Sequence, residues 1–220
     1  MVKSYVKKPR SDSEQRANIL EAAIPVFAEK GRKGASIRLV AQAAGVNSAL
    51  IYYYFENKDM LFREAVRSVV LGMLEQLQTG LRPFANAHER LGYLVNCIMD
   101  YYSAHPNRMR LMGIVHALYG EVLGQVLQDT VTKVRLVPLE ILQEGMTLGQ
   151  IKPANPLQIW WSLLGSCVFT LFMSDAVSHV NPAVLPVKIP SLEEHRQQII
   201  GLFCDGLAAN AKTKHKTTLK

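Results

Sequence analysis

Apolar side chains recur at three- and four-residue spacing almost from the start of the chain, with polar residues between them. Ile19, Leu20, Ala23, Ile24 and Phe27 form one such stripe within 12–30 and predict an amphipathic helix. Gly31 and Gly34 end it, and Pro25 inside it is expected to bend it. Ser36 is placed to cap a short helix over 37–44, and Gly45 follows where a left-handed turn is needed. Asn47 caps a third helix reaching about Tyr54, and Asn57 opens a fourth with Leu61, Ala65, Val69, Leu74 and Leu77 along one face.

The pattern stays helical downstream. A break over 80–87 leads to a helix over 90–103 that stops before His105-Pro106, because proline pushes its predecessor out of the α region. Pro106 suits the first turn of the next helix. Residues 122–147 read as a single helix, kinked at Pro138 and closed by Gly149. Asn155 and Pro156 open a long helix to about Val177, and 179–190 is a proline-bearing loop. Ser191 with Glu194 makes a capping box for a last helix to about Ala211, before a basic, disordered tail over 212–220. With no strand-like alternation and no repeat, the fold class is all-α.

Composition narrows the function. Of 220 residues, 49% are hydrophobic and 20% charged, the balance of a folded globular chain. The apolar run 159–173, broken by Ser162, Ser166 and Thr170, is shorter than a bilayer span of roughly 18–20 residues, so it reads as a buried helix and no membrane partner is expected. No signal-type apolar run follows the basic start. Cys97, Cys167 and Cys204 are far apart and odd in number, which points to a reducing, cytoplasmic location and to neither a disulfide framework nor a metal clip. Phosphate-cradling glycine loops, H-E-x-x-H and G-x-S-x-G are missing, so no enzyme, cofactor or metal is expected. A net charge of +7 suits a phosphate backbone as well as simple solubility.

The segment 37–54 has the spacing of a DNA-binding helix-turn-helix; an ordinary helical hairpin is the alternative. Ala41 keeps the helix crossing close, Gly45 makes the turn, and Val40, Ala44, Val46 and Ile51 lock the pair. Asn47, Ser48 and Ala49 open the second helix with side chains small enough to enter a major groove. Tyr52, Tyr53 and Tyr54 span most of a turn, so at least one or two hydroxyls reach solvent or phosphate, while Tyr54 and Phe55 also suit aromatic packing. Lys58 at the start of the fourth helix and Arg38 near the start of the second are candidate phosphate contacts; each alone also fits a solvated surface charge.

These features resemble the TetR family of bacterial transcriptional repressors. The resemblance rests on Ile19-Leu20, Ala22-Ala23, Phe27, Gly31, Ser36-Ile37-Arg38, Val40-Ala41, Ala44-Gly45-Val46, Ile51 to Phe55, Lys58 and Leu61, and covers roughly 13–62. Arg32, where the family often has an aromatic residue, and Pro25 depart from it. The resemblance implies that Ser36, Arg38, Tyr52, Tyr53, Tyr54 and Lys58 meet phosphates and that Asn47, Ser48 and Ala49, with Leu50, face the bases of a double-stranded operator.

It also implies a three-helix DNA-binding domain over 13–58 behind a basic arm (1–12), and a larger helical ligand-binding and dimerisation domain over 59–211. The helices over 156–177 and 191–211 are those that pair two copies in the family, which makes Leu163, Leu164, Ser166, Cys167, Ile199, Phe203 and Leu207 the expected homodimer interface. Met99, Tyr102, Met109, Met112, His116, Trp160, Phe169 and Met173 are candidate lining for an apolar small-molecule effector; filling a core is the alternative use of the same residues. The competing function is a basic architectural DNA-binding protein without sequence preference, for which the tail is the best support.

Overall fold

The computed structural model describes residues 11–131, 135–181 and 188–208. Among them the chain forms ten helices: α1 Asp12–Gly34, α2 Ile37–Ala44, α3 Ser48–Tyr54, α4 Lys58–Thr79, α5 Ala87–Ala104, α6 Pro106–Leu118, α7 Gly120–Val131, α8 Val137–Thr147, α9 Pro156–Ser178 and α10 Leu192–Leu207. Extended pairing among the described residues is limited to a single antiparallel bridge between Ile151 and Ala208. The fold is all-α.

Local chemistry sets most boundaries. Ser11 and Glu14 cap α1 reciprocally, as Ser191 and Glu194 cap α10. Gly31 interrupts the end of α1 with φ 64° and ψ 173°, a conformation that side chains resist. Pro25 is carried within α1 with no break at that point.

Two expectations are corrected. The helix predicted over 90–103 begins at Ala87, because Asn86 accepts the Glu89 N–H at 3.0 Å and caps it earlier. The single helix predicted over 122–147 is two, α7 and α8, with Pro138 in the first turn of α8. A ring that would clash inside a helix is thus accommodated where the N–H is unpaired anyway. The basic arm over 1–10, part of the loop over 179–190 and the tail over 212–220 lie outside the described residues.

The described residues divide into two compact units, one within Met1–Leu71 and Pro106–Lys133, the other within Gly72–His105 and Val134–Lys220. In the first, α1 packs on α2 and α6, α2 on α3, and α6 on α7. Its core is the predicted stripe of α1 with Val40, Ala41, Ile51, Phe55, Leu61, Phe62 and Ala65, all buried. Phe62 meets Phe27 edge-on at 5.0 Å and Tyr119 at 5.2 Å. In the second unit, α5 packs on α8, α9 and α10 around Leu91, Leu94, Val95 and Ile98.

This second core also holds a charge. Arg90 is 1% exposed. It donates from Nε to Gln150 Oε1 (2.7 Å) and from Nη1 to Glu144 Oε2 (3.0 Å) and the Ile141 carbonyl (3.2 Å). A buried guanidinium persists only when its donors are matched in this way. Gly145 is small for the same reason, since a Cβ there would lie 2.9 Å from Arg90 Cδ and 2.8 Å from Ile151 Cδ1.

Candidate nucleic-acid interface

The turn between α2 and α3 is built by Gly45, whose φ of 66° and ψ of 36° lie in the left-handed region. Its N–H closes α2, the Val46 N–H returns to the Ala41 carbonyl at 3.0 Å, and Ala41 is 4% exposed, as the close crossing requires. From α1, Asn18 Nδ2 donates to the Ala44 carbonyl at 3.0 Å.

The helix that follows presents its start outward. Asn47 caps α3 by accepting the Leu50 N–H on Oδ1 at 2.8 Å, which leaves its amide protons as the groups free to read an acceptor on a base edge. Ser48 is half-buried and Ala49 exposed, while Ile51 is fully buried. Tyr52 is 55% exposed and Tyr53 73%, so these two phenols are open to a partner.

Tyr54 differs. Its hydroxyl donates to Asp12 Oδ1 at 3.0 Å, and partial burial, then this bond, raise its pKa. A phenol has one proton to give, so while the bond stands Tyr54 has none for a phosphate.

Ser36 accepts the Leu39 N–H at 3.3 Å and keeps its hydroxyl proton for a phosphate oxygen. Arg38 is exposed beside it. Lys58 donates to the carbonyls of Ala35 (3.1 Å) and Lys33 (3.5 Å), which leaves one ammonium proton for an anion. Asn57 caps the start of α4 as its position suggests, its Oδ1 accepting the Met60 N–H at 2.8 Å. Arg32 is explained by its partners. It bonds Asp59 at 2.8 Å and lies over the Tyr119 ring at 5.6 Å.

The expected effector residues fall in both units. In the second, Met99 and Tyr102 of α5 are buried and Trp160 of α9 half-buried, whereas Phe169 (66%) and Met173 (42%) are exposed. In the first, Met112 is buried, Met109 half-buried, and exposed His116 bonds its own helix through the Met112 carbonyl at 2.7 Å. An open groove along α10, lined by Ser191, Glu194, Gln198, Leu202 and Asp205, includes none of them.

The residues expected at the interface differ in exposure. Leu163, Cys167 and Ile199 are buried in the chain's own core, so they are not available to a partner; Leu164, Ser166, Phe203 and Leu207 are half-buried. The Cys167 thiol is pushed up to about 12 by that burial. The large side chains left outside on α9 are Leu157 and Trp161, neighbours four residues apart, and Phe169 and Met173, likewise four apart, along a stripe that winds around the helix. The long helix expected from Pro156 is present as α9, but the expectation that its apolar run 159–173 is buried is corrected. At 23 residues α9 is long and apolar enough to cross a bilayer, and only 22% of its most apolar stretch is buried.

This arrangement is a helix-turn-helix with the start of its second helix opened toward solvent. Residues 19–65, which hold α2, α3 and their turn, match the profile of bacterial regulatory proteins, tetR family. The chain is 33% identical over 111 residues to the HTH-type transcriptional repressor NicS of Pseudomonas putida, covering 50% of this chain and 51% of NicS. It is 24% identical over 143 residues to the HTH-type transcriptional regulator YhgD of Bacillus subtilis, covering 65% of this chain and 75% of that one. Among solved structures, the transcriptional regulator FadR of Bacillus subtilis in complex with stearoyl-CoA superposes with a TM-score of 0.66 at 21% identity, covering 86% of this chain and 98% of FadR, which shows a shared fold. The curated relatives are transcriptional regulators.

Proposed function

We propose that this chain is a sequence-specific repressor that binds a palindromic operator as a homodimer in the bacterial cytoplasm and is released by a small, largely apolar effector. The observation that carries the reading is the outward-facing start of α3 together with exposed Tyr52 and Tyr53. Asn47, Ser48 and Ala49 face the bases; Ser36, Arg38, Tyr52, Tyr53 and Lys58 hold the flanking phosphates. Tyr54 joins them only when its bond to Asp12 opens.

A single seven-residue reading helix makes too few contacts for tight binding, and two half-sites about one helical turn apart supply the rest. The exposed face of α9 is assigned to a second copy and not to a bilayer, because Ile159, Leu163, Cys167 and Leu171 are already packed inside the unit.

An effector site is assigned to Met99, Tyr102 and Trp160 in the second unit, where methionine and aromatic side chains adapt to apolar ligands. FadR's stearoyl-CoA is in keeping with such a ligand, although at 21% identity the likeness carries the fold and not the ligand. Release requires only that the effector bind the DNA-incompetent state more tightly.

Selection of bound duplexes from a random library at near-physiological salt tests the reading. Recovery of a palindrome supports it; a folded protein that enriches no sequence refutes it in favour of architectural binding.

A further inference from the structure

The reading helix holds little of its own position. α3 has seven residues and one fully buried side chain, Ile51. A helix this short is far below the roughly 12–15 residues at which isolated helices become even marginal. A single buried contact also leaves it free to roll about its axis. Its far end is gripped from α1. Asp12 and Arg16 lie one turn apart on α1 and therefore on one face. Asp12 takes the Tyr54 hydroxyl at 3.0 Å, and the Arg16 guanidinium sits over the Phe55 ring, 5.1 Å from its centroid. Phe55, the residue that closes α3, is 0% exposed.

Arg16 is fixed at its other side as well. Its Nη2 donates to Glu64 Oε2 at 2.6 Å, and Glu64, 9% exposed, accepts from Arg67 Nη1 at 2.7 Å on its other oxygen. Arg67 in turn reaches Asp129 of α7 at 2.5 Å. The plane of the guanidinium is thus set by a carboxylate that has little freedom of its own.

We propose that Arg16 is a positioning residue for base reading: clamped by Glu64 and stacked on Phe55, it fixes the roll of α3 and so the aim of Asn47, Ser48 and Ala49. This rests on the operator-binding reading above. Arg16 touches no base. It acts through Phe55, so losing it degrades the choice among sequences more than the attraction to DNA in general.

The test compares wild type with Arg16→Lys, which keeps the charge but not the plane, and with Arg16→Met, which keeps the stem. Affinities for the selected palindrome and for a scrambled duplex are measured at one salt concentration, with amide exchange followed along the chain. For both variants the specific-to-scrambled ratio is expected to fall by about tenfold, the size of one lost base contact. The scrambled affinity of Arg16→Lys stays within about twofold of wild type. Exchange is expected to quicken over 48–55 while α5 and α9 keep wild-type rates.

Unchanged ratios would overturn the proposal, as would exchange that quickens equally everywhere, the mark of plain destabilisation. A wild-type protein that prefers no sequence refutes the operator reading instead. The exchange arm needs no operator and decides the positioning claim by itself.

Discussion

Gly45 and Gly124 make a matched pair in which space and strain separate. A Cβ built at either meets nothing within 4 Å, so neither replacement by alanine creates a clash. The difference is the backbone. Gly45 has φ 66°, where an alanine costs about 1–2 kcal/mol, offset by the roughly 0.4–1 kcal/mol that a less flexible unfolded chain returns. The net expectation for Gly45→Ala is a loss of about 1 kcal/mol.

Gly124 lies inside α7 without a positive φ, so Gly124→Ala is expected to gain about 0.5–1 kcal/mol through helix propensity. For a chain of this size, Tm moves by about 2–4 °C per kcal/mol, and thermal unfolding followed by circular dichroism should show shifts of opposite sign. Shifts of the same sign would refute the assignment of Gly45 to a left-handed turn, and with it the helix-turn-helix geometry. Operator affinity of Gly45→Ala, measured below its Tm, is expected to fall as well.

Arg90→Met removes three hydrogen bonds of a 1%-exposed cation and is expected to cost about 2–4 kcal/mol in urea unfolding, whereas Arg82→Met, at a 63%-exposed side chain, should stay within about 0.5 kcal/mol. Equal small effects would contradict the buried network. Trp161→Lys and Phe169→Lys place charges on the exposed face of α9 and are expected to turn a dimer into monomers by sedimentation with the fold kept; variants that still associate would move the interface elsewhere. The Ser191 backbone N–H, the Ser191 hydroxyl and Lys188 hold Glu194 down to about 2 from its usual 4.5. A carboxylate depressed in the folded state stabilises above its unfolded pKa and loses this on acidification. The stability gap between wild type and Glu194→Gln should therefore close as pH falls from about 4.5 to about 2; a gap that is constant across that range would exclude the capping role.

The first sixty residues were legible because each helix there is announced by a cap or a turn residue as well as by its stripe. Ser36, Gly45, Asn47 and Asn57 all act where their chemistry suggested. What stayed hidden depends on contacts distant in sequence. Arg16 grips Glu64, 48 positions away, and Arg90 bonds Gln150, 60 away; an isolated arginine on a helix carries no sign of either. Which side of α9 is buried was hidden for another reason. Leu163 and Cys167 on one side and Trp161 and Phe169 on the other are both apolar, and a helix that is apolar all round does not reveal which side turns inward. The division at Pro138 was missed because a proline inside an apolar pattern reads as a kink or as a first turn alike.

The central claim is that the opening of α3 reads bases. Its most direct test is the ratio of affinities for the selected palindrome and a scrambled duplex of equal length, measured for wild type, Ser48→Ala and Tyr53→Phe near physiological salt. The account predicts a wild-type ratio of at least about 10³, reduced by about 1–3 kcal/mol in Ser48→Ala, while Tyr53→Phe, which loses a phosphate contact, weakens both duplexes alike; two protomers bind each palindrome. A wild-type ratio near one, or a Ser48→Ala variant that weakens both duplexes equally, would contradict it and leave α3 a helix that touches only phosphate.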